Sequence, residues 1–353
     1  MSLTLTDILE EEIAAGSFPG GAALVGTAER IVARAHAGRA AVVPEDAPLD
    51  AATLFDLASL TKPLATGALV LAAQRDGLDL LSPPGRFLPP FKKTRYDGIT
   101  LEMLLLHTSG LPAWFPLYAR GEGAAAYRRT LGGIEPETLP GTAVVYSDLG
   151  ILVMGDVLEN FFGAGWDRLF TDLVGSPAGS GIRYLPAKPG RCAATEEDDA
   201  TERSMTAALG LSYAHFRTGV VRGEVHDGNA FRRGGVAAHA GLFGTAEDVW
   251  RLARPWLDPG RRDFTRDRTP DLSEARGLAW QGPRGAKSIP AESFSSDAFG
   301  HTGFTGTSLW VDPARDEIVV LLTNRVHPRV DGDFNAVRRR FHERVLEEEI
   351  GRR

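Results

Sequence analysis

Ser59-Leu60-Thr61-Lys62-Pro63, followed by an apolar run over residues 64–73 and closed by Asp76-Gly77, is the stretch on which the reading of this chain turns. A hydroxyl three residues ahead of an amine lies one helical turn from it on the same face. Lysine is scarce, with five Lys against 34 Arg among the 39 basic residues, so a Lys in that register stands out. Pro63 has no backbone N–H and is tolerated in a first turn, where that donor has no partner. Gly77 supplies a C-cap. The spacing predicts a buried helix whose N-terminus is at Ser59. Free N–H groups and the positive end of the dipole there can stabilise an oxyanion. An amine held beside the hydroxyl can take its proton and make it a nucleophile. Taken alone, the same pattern also fits an N-cap serine followed by a solvated lysine, and the remainder of the chain has to decide between them.

Upstream, Leu5, Ile8, Leu9 and Ile13 recur at helical spacing over residues 4–16, with Glu10, Glu11 and Glu12 expected to face outward. Two β-type runs, 22–27 and 31–37, are joined by Ala28-Glu29-Arg30 and predict a hairpin. Downstream, prolines between positions 83 and 140 cut the chain into short helical pieces such as 101–106, and a longer apolar one follows at 150–162. The acidic Glu196-Glu197-Asp198-Asp199 reads as a solvated surface loop. Thr245 reads as the N-cap of a helix with Glu247 and Asp248 in its first turn. Strands are expected at 277–280, 306–311 and 318–323, the last two joined by a hairpin turn at 312–316, and a charged helix over about 334–350 ends the chain. Together these predict an α+β fold, an α/β sandwich. An antiparallel sheet flanked by helices is formed by residues 1–77 and 241–353, and residues 78–240 are an inserted, mostly helical domain.

Bulk composition narrows the function. The 353 residues are 43% hydrophobic and 24% charged, with a net charge of −7, as in an ordinary soluble globular protein. Basic residues are scattered among acidic ones, which argues against a nucleic-acid partner. Cys192 is the sole cysteine, so no intrachain disulfide forms. No apolar run reaches the roughly 18 residues that cross a bilayer, and the first seven residues lack a signal-peptide pattern. No membrane partner is therefore expected, and the cytoplasm is the expected location. Oligomeric state is left open.

Two further segments suit a nucleophilic serine. Tyr146-Ser147-Asp148 precedes an apolar helix. A phenol placed near Lys62 would be acidified by the ammonium and could carry protons as base and then acid. His301-Thr302-Gly303-Phe304 is expected to open a strand, where glycine permits close approach and an edge N–H could be a second oxyanion donor. His107-Thr108-Ser109-Gly110-Leu111-Pro112 reads as a helix end with a structural turn.

With these pieces in this order, the chain resembles the serine β-lactamase and penicillin-binding protein superfamily, in particular the class C β-lactamase and family VIII esterase branch. Gly244-Thr245-Ala246-Glu247-Asp248 and Leu321-Leu322-Thr323-Asn324 are similar to the family as well. The resemblance implies that Ser59 is the acylated nucleophile and that Lys62 and Tyr146 form the proton-transfer pair. It implies an oxyanion hole made by the N–H groups of Ser59 and Phe304, and substrate binding by Asp148, His301, Thr302 and Gly303. It implies two-step acyl transfer with neither cofactor nor metal.

The chain departs from the family where penicillin-active relatives carry Tyr-x-Asn and Lys-Thr-Gly. Asp148 cannot donate an N–H when ionised, and it could hold Lys62 protonated. His301 replaces a permanent cation with a side chain that is mostly neutral at pH 7. Both changes favour a small neutral ester or amide over a β-lactam substrate. The alternatives are a true β-lactamase or D,D-peptidase, and a non-catalytic binding protein on the same scaffold. An α/β-hydrolase is set aside, because Gly210-Leu211-Ser212-Tyr213-Ala214 lacks the second glycine of a nucleophile elbow. Trp114, Phe115 and Tyr118 could wall an acyl pocket. His226 and His239 read first as structural, with the alternative that one of them lines the cleft, and no zinc-ligand spacing surrounds them.

Overall fold

The computed structural model describes residues 3–92, 94–186, 188–285, 294–348 and 350. Met1 and Ser2, on which part of the leader reading falls, lie outside these residues, as does position 349 within the expected helix over about 334–350. Twelve strands are found among the described residues: β1 Gly20–Gly26, β2 Ile31–Ala41, β3 Ala47–Pro48, β4 Phe55–Asp56, β5 Ala194–Glu197, β6 Val220–Arg222, β7 Phe243–Gly244, β8 Arg276–Gly277, β9 Trp280–Gln281, β10 Phe299–Thr302, β11 Ser308–Asp312 and β12 Glu317–Thr323. Eight form one sheet in the order β3-β2-β1-β12-β11-β10-β9-β8, while β4 pairs with β7 and β5 with β6. Every pairing in the large sheet is antiparallel.

The two ends of the chain meet in the middle of that sheet. β1 pairs with β12 in a register that sets Ala22 opposite Leu322 and Leu24 opposite Val320. Successive side chains point to opposite faces, and helices cover both. Ala23, Val25, Val319 and Leu321 pack with Leu5, Ile8 and Leu9 of the first helix and with Phe341 and Val345 of the last. Ala22, Leu24, Val320 and Leu322 face the other core, which holds Leu64, Leu69, Ile151 and Val249. A strand buried on both faces reads as a continuous apolar run, which is how Ile318-Val319-Val320-Leu321-Leu322 appears.

Several local expectations are corrected. Glu12 is buried, not outward. It accepts from Ser17 Oγ at 2.6 Å and pairs with Arg340 Nη2 at 2.9 Å. The acidic 196–199 segment contributes to strand β5, and Glu196 and Asp199 are buried against His226 and Arg217. Charge there signals buried ion pairs, not solvent. Residues 277–280 are not one strand: they turn between β8 and β9. His301-Thr302 closes β10 instead of opening a strand.

The Ser59 helix exists but begins unevenly. Ala58–Leu60 is a 3-10 turn, Lys62–Gly67 is a π-helical turn, and regular α-helix runs over Ala68–Arg75. Pro63 cannot donate to the carbonyl of residue 59, so the ladder loses a rung where it would normally propagate. Widened turns of this kind recur at functional sites. Gly77 adopts φ +95°, as a helix stop requires.

Candidate active site

The turn carrying Ser59 is held from three directions. Asp56, at the end of β4, accepts from Ala58 N at 2.9 Å and from His226 N at 2.7 Å. Its carbonyl accepts from Thr305 Oγ1 at 2.7 Å, and that of Leu57 from Thr307 Oγ1 at 3.1 Å. Ala58 itself sits at φ +47°, a conformation that costs a non-glycine residue free energy and persists only where its surroundings fix it.

From this turn Lys62 projects inward and is fully buried. Its ammonium donates two hydrogen bonds and stands against one carboxylate. Nζ lies 2.7 Å from Ser59 Oγ, 2.7 Å from Asp148 Oδ1 and 3.1 Å from the His239 carbonyl. Asp148 begins the helix Asp148–Phe162, whose N-cap Ser147 accepts from Gly150 N. Ser147 also donates through Oγ to Pro112 O at 2.6 Å and through N to His107 Nδ1 at 3.0 Å. The His107-to-Pro112 segment thereby fixes Tyr146 and Asp148, which is the structural duty expected of it.

Tyr146 stands beside the pair. Lys62 Nζ is 5.0 Å from its ring centroid, and its phenol is in hydrogen-bonding range of Lys62 and Ser59. Burial alone would push the Lys62 ammonium down, but Asp148 and then Tyr146 outweigh it and hold the group above its ordinary value. The expected acidification of Tyr146 does not prevail. Burial raises its phenol more than the ammonium lowers it, so it stands above the usual tyrosine value. At neutral pH both groups therefore keep their protons.

The strand-side residues separate. Phe304 lines the same cavity as Ser59, with its side chain partly exposed and stacked on His226 at 5.3 Å between centroids. Neither the Ser59 nor the Phe304 backbone N–H donates to a protein acceptor among the described residues. His301 is buried behind Tyr146, 5.8 Å from it ring to ring, with Nδ1 2.8 Å from Thr302 O. Burial first, then the charges of Lys62 and Arg276, push its pKa well down, so the imidazole is neutral. His301, Thr302 and Gly303 lie outside the lining of the cavity. Gly303 is packed so closely that a Cβ would stand 2.7 Å from Leu57 O.

That cavity, about 210 Å³, is also lined by Trp114, Glu202, His226, Asp227 and His239. The lesser of the two sequence readings of His226 and His239, that one of them lines the cleft, is the one the cavity favours, and both are in its lining. His239 Nε2 is 2.9 Å from Asp227 Oδ1, and His226 Nε2 is 3.0 Å from Glu196 Oε2. Burial would raise Asp227, yet His239 and the Ala230 N–H bring it down to about 2. Glu202 goes the other way, to about 7, through burial and the nearby charge of Asp227. The only sequence cue was two histidines flanking a glycine-rich segment, and Arg276, buried 5.5 Å from the Tyr146 ring centre, gave none.

Ligating atoms of Asp148, Asp227 and His239 lie within 4.8 Å of one another. The set has the composition of a cation site, but the Lys62 ammonium already stands 2.7 Å from Asp148, and a metal would place a second cation against it.

A family model described as β-lactamase matches residues 5–343. The chain belongs to the β-lactamase family. It is 31% identical to the N-acetylmuramyl-L-alanine amidase of Bacillus subtilis, covering 93% of this chain and 82% of the relative. It is 30% identical to a putative D-alanyl-D-alanine carboxypeptidase of Escherichia coli, covering 79% and 70%. Among solved structures, EstCE1, a hydrolase with promiscuous acyltransferase activity, superposes with a TM-score of 0.72 at 20% identity, over 98% of this chain and 97% of that one. A class C β-lactamase gives 0.70 at 16% identity, over 97% and 94%. These structural likenesses establish that the β-lactamase-family chain has the fold its sequence implied. It is a serine hydrolase of that family, and no helix among its described residues is long and apolar enough to cross a membrane.

Proposed function

We propose that the protein hydrolyses a small neutral ester or amide through an acyl-enzyme on Ser59, with Lys62 and Tyr146 as the proton-transfer pair. The observation that carries this reading is the buried Lys62 ammonium 2.7 Å from Ser59 Oγ. In that arrangement Lys62 remains charged and stabilises the alkoxide that develops on Oγ. Tyr146, in reach of Ser59, receives the hydroxyl proton as its own passes to the leaving oxygen or nitrogen. The N–H groups of Ser59 and Phe304 point their unused donors at the carbonyl oxygen, the role assigned to them by the family pattern. Asp148 serves the site by fixing the charge of Lys62, and His301 supports Tyr146 from behind.

Charge selects the substrate class. The carboxyl groups of Asp148 and Asp227 border the cavity, and the neutral His301 offers no cation to a substrate carboxylate. Anionic β-lactams and peptides ending in a free carboxylate are therefore disfavoured near the acyl carbon. The purified protein is expected to turn over 4-nitrophenyl acetate or butyrate with higher kcat/KM than a chromogenic cephalosporin; the reverse order would overturn the assignment. A fluorophosphonate should label wild type and not Ser59→Ala, and a wild type that resists labelling would favour a non-catalytic binding protein.

A second reading is an amide between an N-acetylmuramyl group and L-alanine, the bond named for the Bacillus subtilis relative. It is favoured by a likeness spanning 93% of this chain. Release of L-alanine from an N-acetylmuramyl-L-alanine conjugate, lost in Ser59→Ala, would support it.

A further inference from the structure

Two arginines grip the segment that carries the second oxyanion donor. Arg338, on the helix Asn335–Glu347, donates through Nη2 to the Gly303 carbonyl, and Arg325 donates through Nε to the Phe304 carbonyl at 3.0 Å. Arg338 is only 5% exposed. Its side chain's other hydrogen bond runs from Nη1 to Asn335 Oδ1 at 3.0 Å. Both of its acceptors are thus uncharged, and its Nε is buried without a partner. Burial, and then the charge of Arg325, bring its pKa down to about 9, which leaves it charged at neutral pH. Burying a guanidinium against uncharged acceptors is costly. One kept directly behind a nucleophile turn points to a task there.

Covalent geometry defines that task. The Gly303–Phe304 peptide is not among the cis bonds of the described residues, and a planar trans peptide points its C=O and N–H in opposite directions. The carbonyl end faces the last helix, where it accepts from Arg338 and, at 3.1 Å, from Gly306 N. The N–H end faces the other way and belongs to Phe304, which lines the cavity together with Ala58 and Ser59. The peptide also presses on the nucleophile turn, since a Cβ on Gly303 would stand 3.2 Å from Ala58 Cβ. A cation on the oxygen of an amide draws electron density from its nitrogen and makes the N–H a stronger donor, as hydrogen bonds in series polarise one another. Its positive charge has the sign that stabilises an oxyanion beyond that N–H.

We infer that Arg338 is a positioning residue of the oxyanion hole: clamped on the Gly303 carbonyl, it aims and polarises the Phe304 N–H toward the oxygen of the tetrahedral intermediate. The inference rests on the acyl-enzyme reading above. When Ser59 Oγ bonds to the acyl carbon, the π pair of the substrate carbonyl moves onto oxygen, and that oxyanion accepts from Phe304 N–H. When the leaving group departs, the pair returns and the hydrogen bond weakens. Attack of water on the acyl-enzyme repeats the same cycle. Arg338 touches no reacting atom and exchanges no proton; it acts only through the peptide it holds.

The test compares wild type, Arg338→Met, Arg338→Lys and Asn335→Ala in turnover of 4-nitrophenyl butyrate and in inhibition by butaneboronic acid. The boron accepts an Oγ lone pair and becomes a tetrahedral anion with an oxygen where the oxyanion forms, so its affinity reports on the transition state. Methionine keeps an apolar stem and removes the charge, which separates packing from electrostatics. Deleting an oxyanion donor outright costs about 10²–10³-fold, so losing its support in Arg338→Met should lower kcat by about 10–10²-fold. KM should stay within about threefold, and boronate inhibition should weaken in parallel with kcat/KM. Arg338→Lys, which keeps a cation and a donor, should fall between Arg338→Met and wild type; a merely structural role would raise KM and would not follow charge. If Arg338→Met does not fold, Asn335→Ala decides, because it frees Nη1: kcat and boronate affinity should fall together by about threefold or more. A folded Arg338→Met with wild-type kcat, an Arg338→Lys no faster than Arg338→Met, or an Asn335→Ala that changes neither quantity overturns the role of Arg338. A wild type that forms no boronate adduct on Ser59 instead sinks the acyl-enzyme reading itself, and the inference with it.

Discussion

At Lys62 two large opposing effects meet. Burying an ammonium costs several kcal/mol, and only a close, well-placed partner offsets that. Asp148, 2.7 Å away, prevails, so removing its charge should let burial dominate. In Asp148→Asn the Lys62 pKa should fall from above its ordinary value to below it, and the falling, alkaline limb of the pH–rate profile for 4-nitrophenyl butyrate, where the charged Lys62 is lost, should move to lower pH. A profile superimposable on wild type would detach Asp148 from control of the site. Lys62→Ala should lower turnover by about 10²–10⁴-fold with an unchanged far-UV spectrum; a near-wild-type rate would remove Lys62 from the chemistry. Much of this site was legible, because Ser59 and Lys62 are neighbours on one helical turn and Tyr146 and Asp148 share a helix start. The sign of the Tyr146 shift was not, since it depends on how deeply the ring is buried. Nor was the link from Lys62 to His239, made through a backbone carbonyl 177 positions away, which leaves no side-chain signature in sequence.

Between β4 and the Ser59 helix, the nucleophile turn acts as an element stapled to its neighbours. The Asp56 carboxylate satisfies two buried N–H groups, those of Ala58 and His226. Leaving one such donor unpaired costs about 1–3 kcal/mol. Asp56→Ala should therefore lose roughly 2–6 kcal/mol by urea denaturation, and a loss below about 1 kcal/mol would show that water replaces the carboxylate. Gly303→Ala tests the other side of the turn. Its Cβ would collide with Leu57 O and the Thr307 side chain, pushing the strand end from the serine. A misplacement near 1 Å costs about 10²-fold in rate, so kcat should fall far more than stability. A variant that loses stability and keeps kcat would contradict the coupling. The hairpin of β1 and β2, the capped helix at Thr245 and the turn between β11 and β12 were all readable, since each is set by local spacing or turn chemistry. The pairing of β1 with β12 joins residues about 300 positions apart; its register follows from which faces the helices cover. The short β8–β9 turn and the buried acids of residues 196–199 went unread because burial, not composition, decides them.

Across the whole molecule, the buried ionisable groups set a window of stability in pH. Burial disfavours the charged form of His226, but Glu196 outweighs it and raises the pKa. A raised histidine contributes stability that is complete below its unfolded value of about 6.5 and is lost as pH climbs through its folded value. Glu202, raised to about 7 by burial and Asp227, acts in the same direction. Between an unfolded value of about 4.3 and 7 the native state binds the extra proton, so stability falls as pH rises through that interval. Asp227, lowered to about 2 against the opposing effect of burial, and Glu196, lowered chiefly by its hydrogen bond to His226 once burial is overcome, contribute the opposite limb. Their stabilisation is present above about 4 and is lost as pH falls toward their folded values. Burial also pushes His107, His301, His327 and His342 down, and a lowered histidine contributes stability that is complete above about 6.5 and is lost as pH falls toward its folded value, so the acid limb begins near 6.5. Thermal melts in buffers of constant ionic strength should therefore show Tm greatest near neutrality, falling steeply as pH drops below about 6.5 and declining gently toward pH 8. In Glu202→Gln, which cannot ionise, the decline should be shallower. A Tm that keeps climbing from pH 6 to 8 in wild type would mean that His226 and Glu202 do not hold their protons in the folded protein.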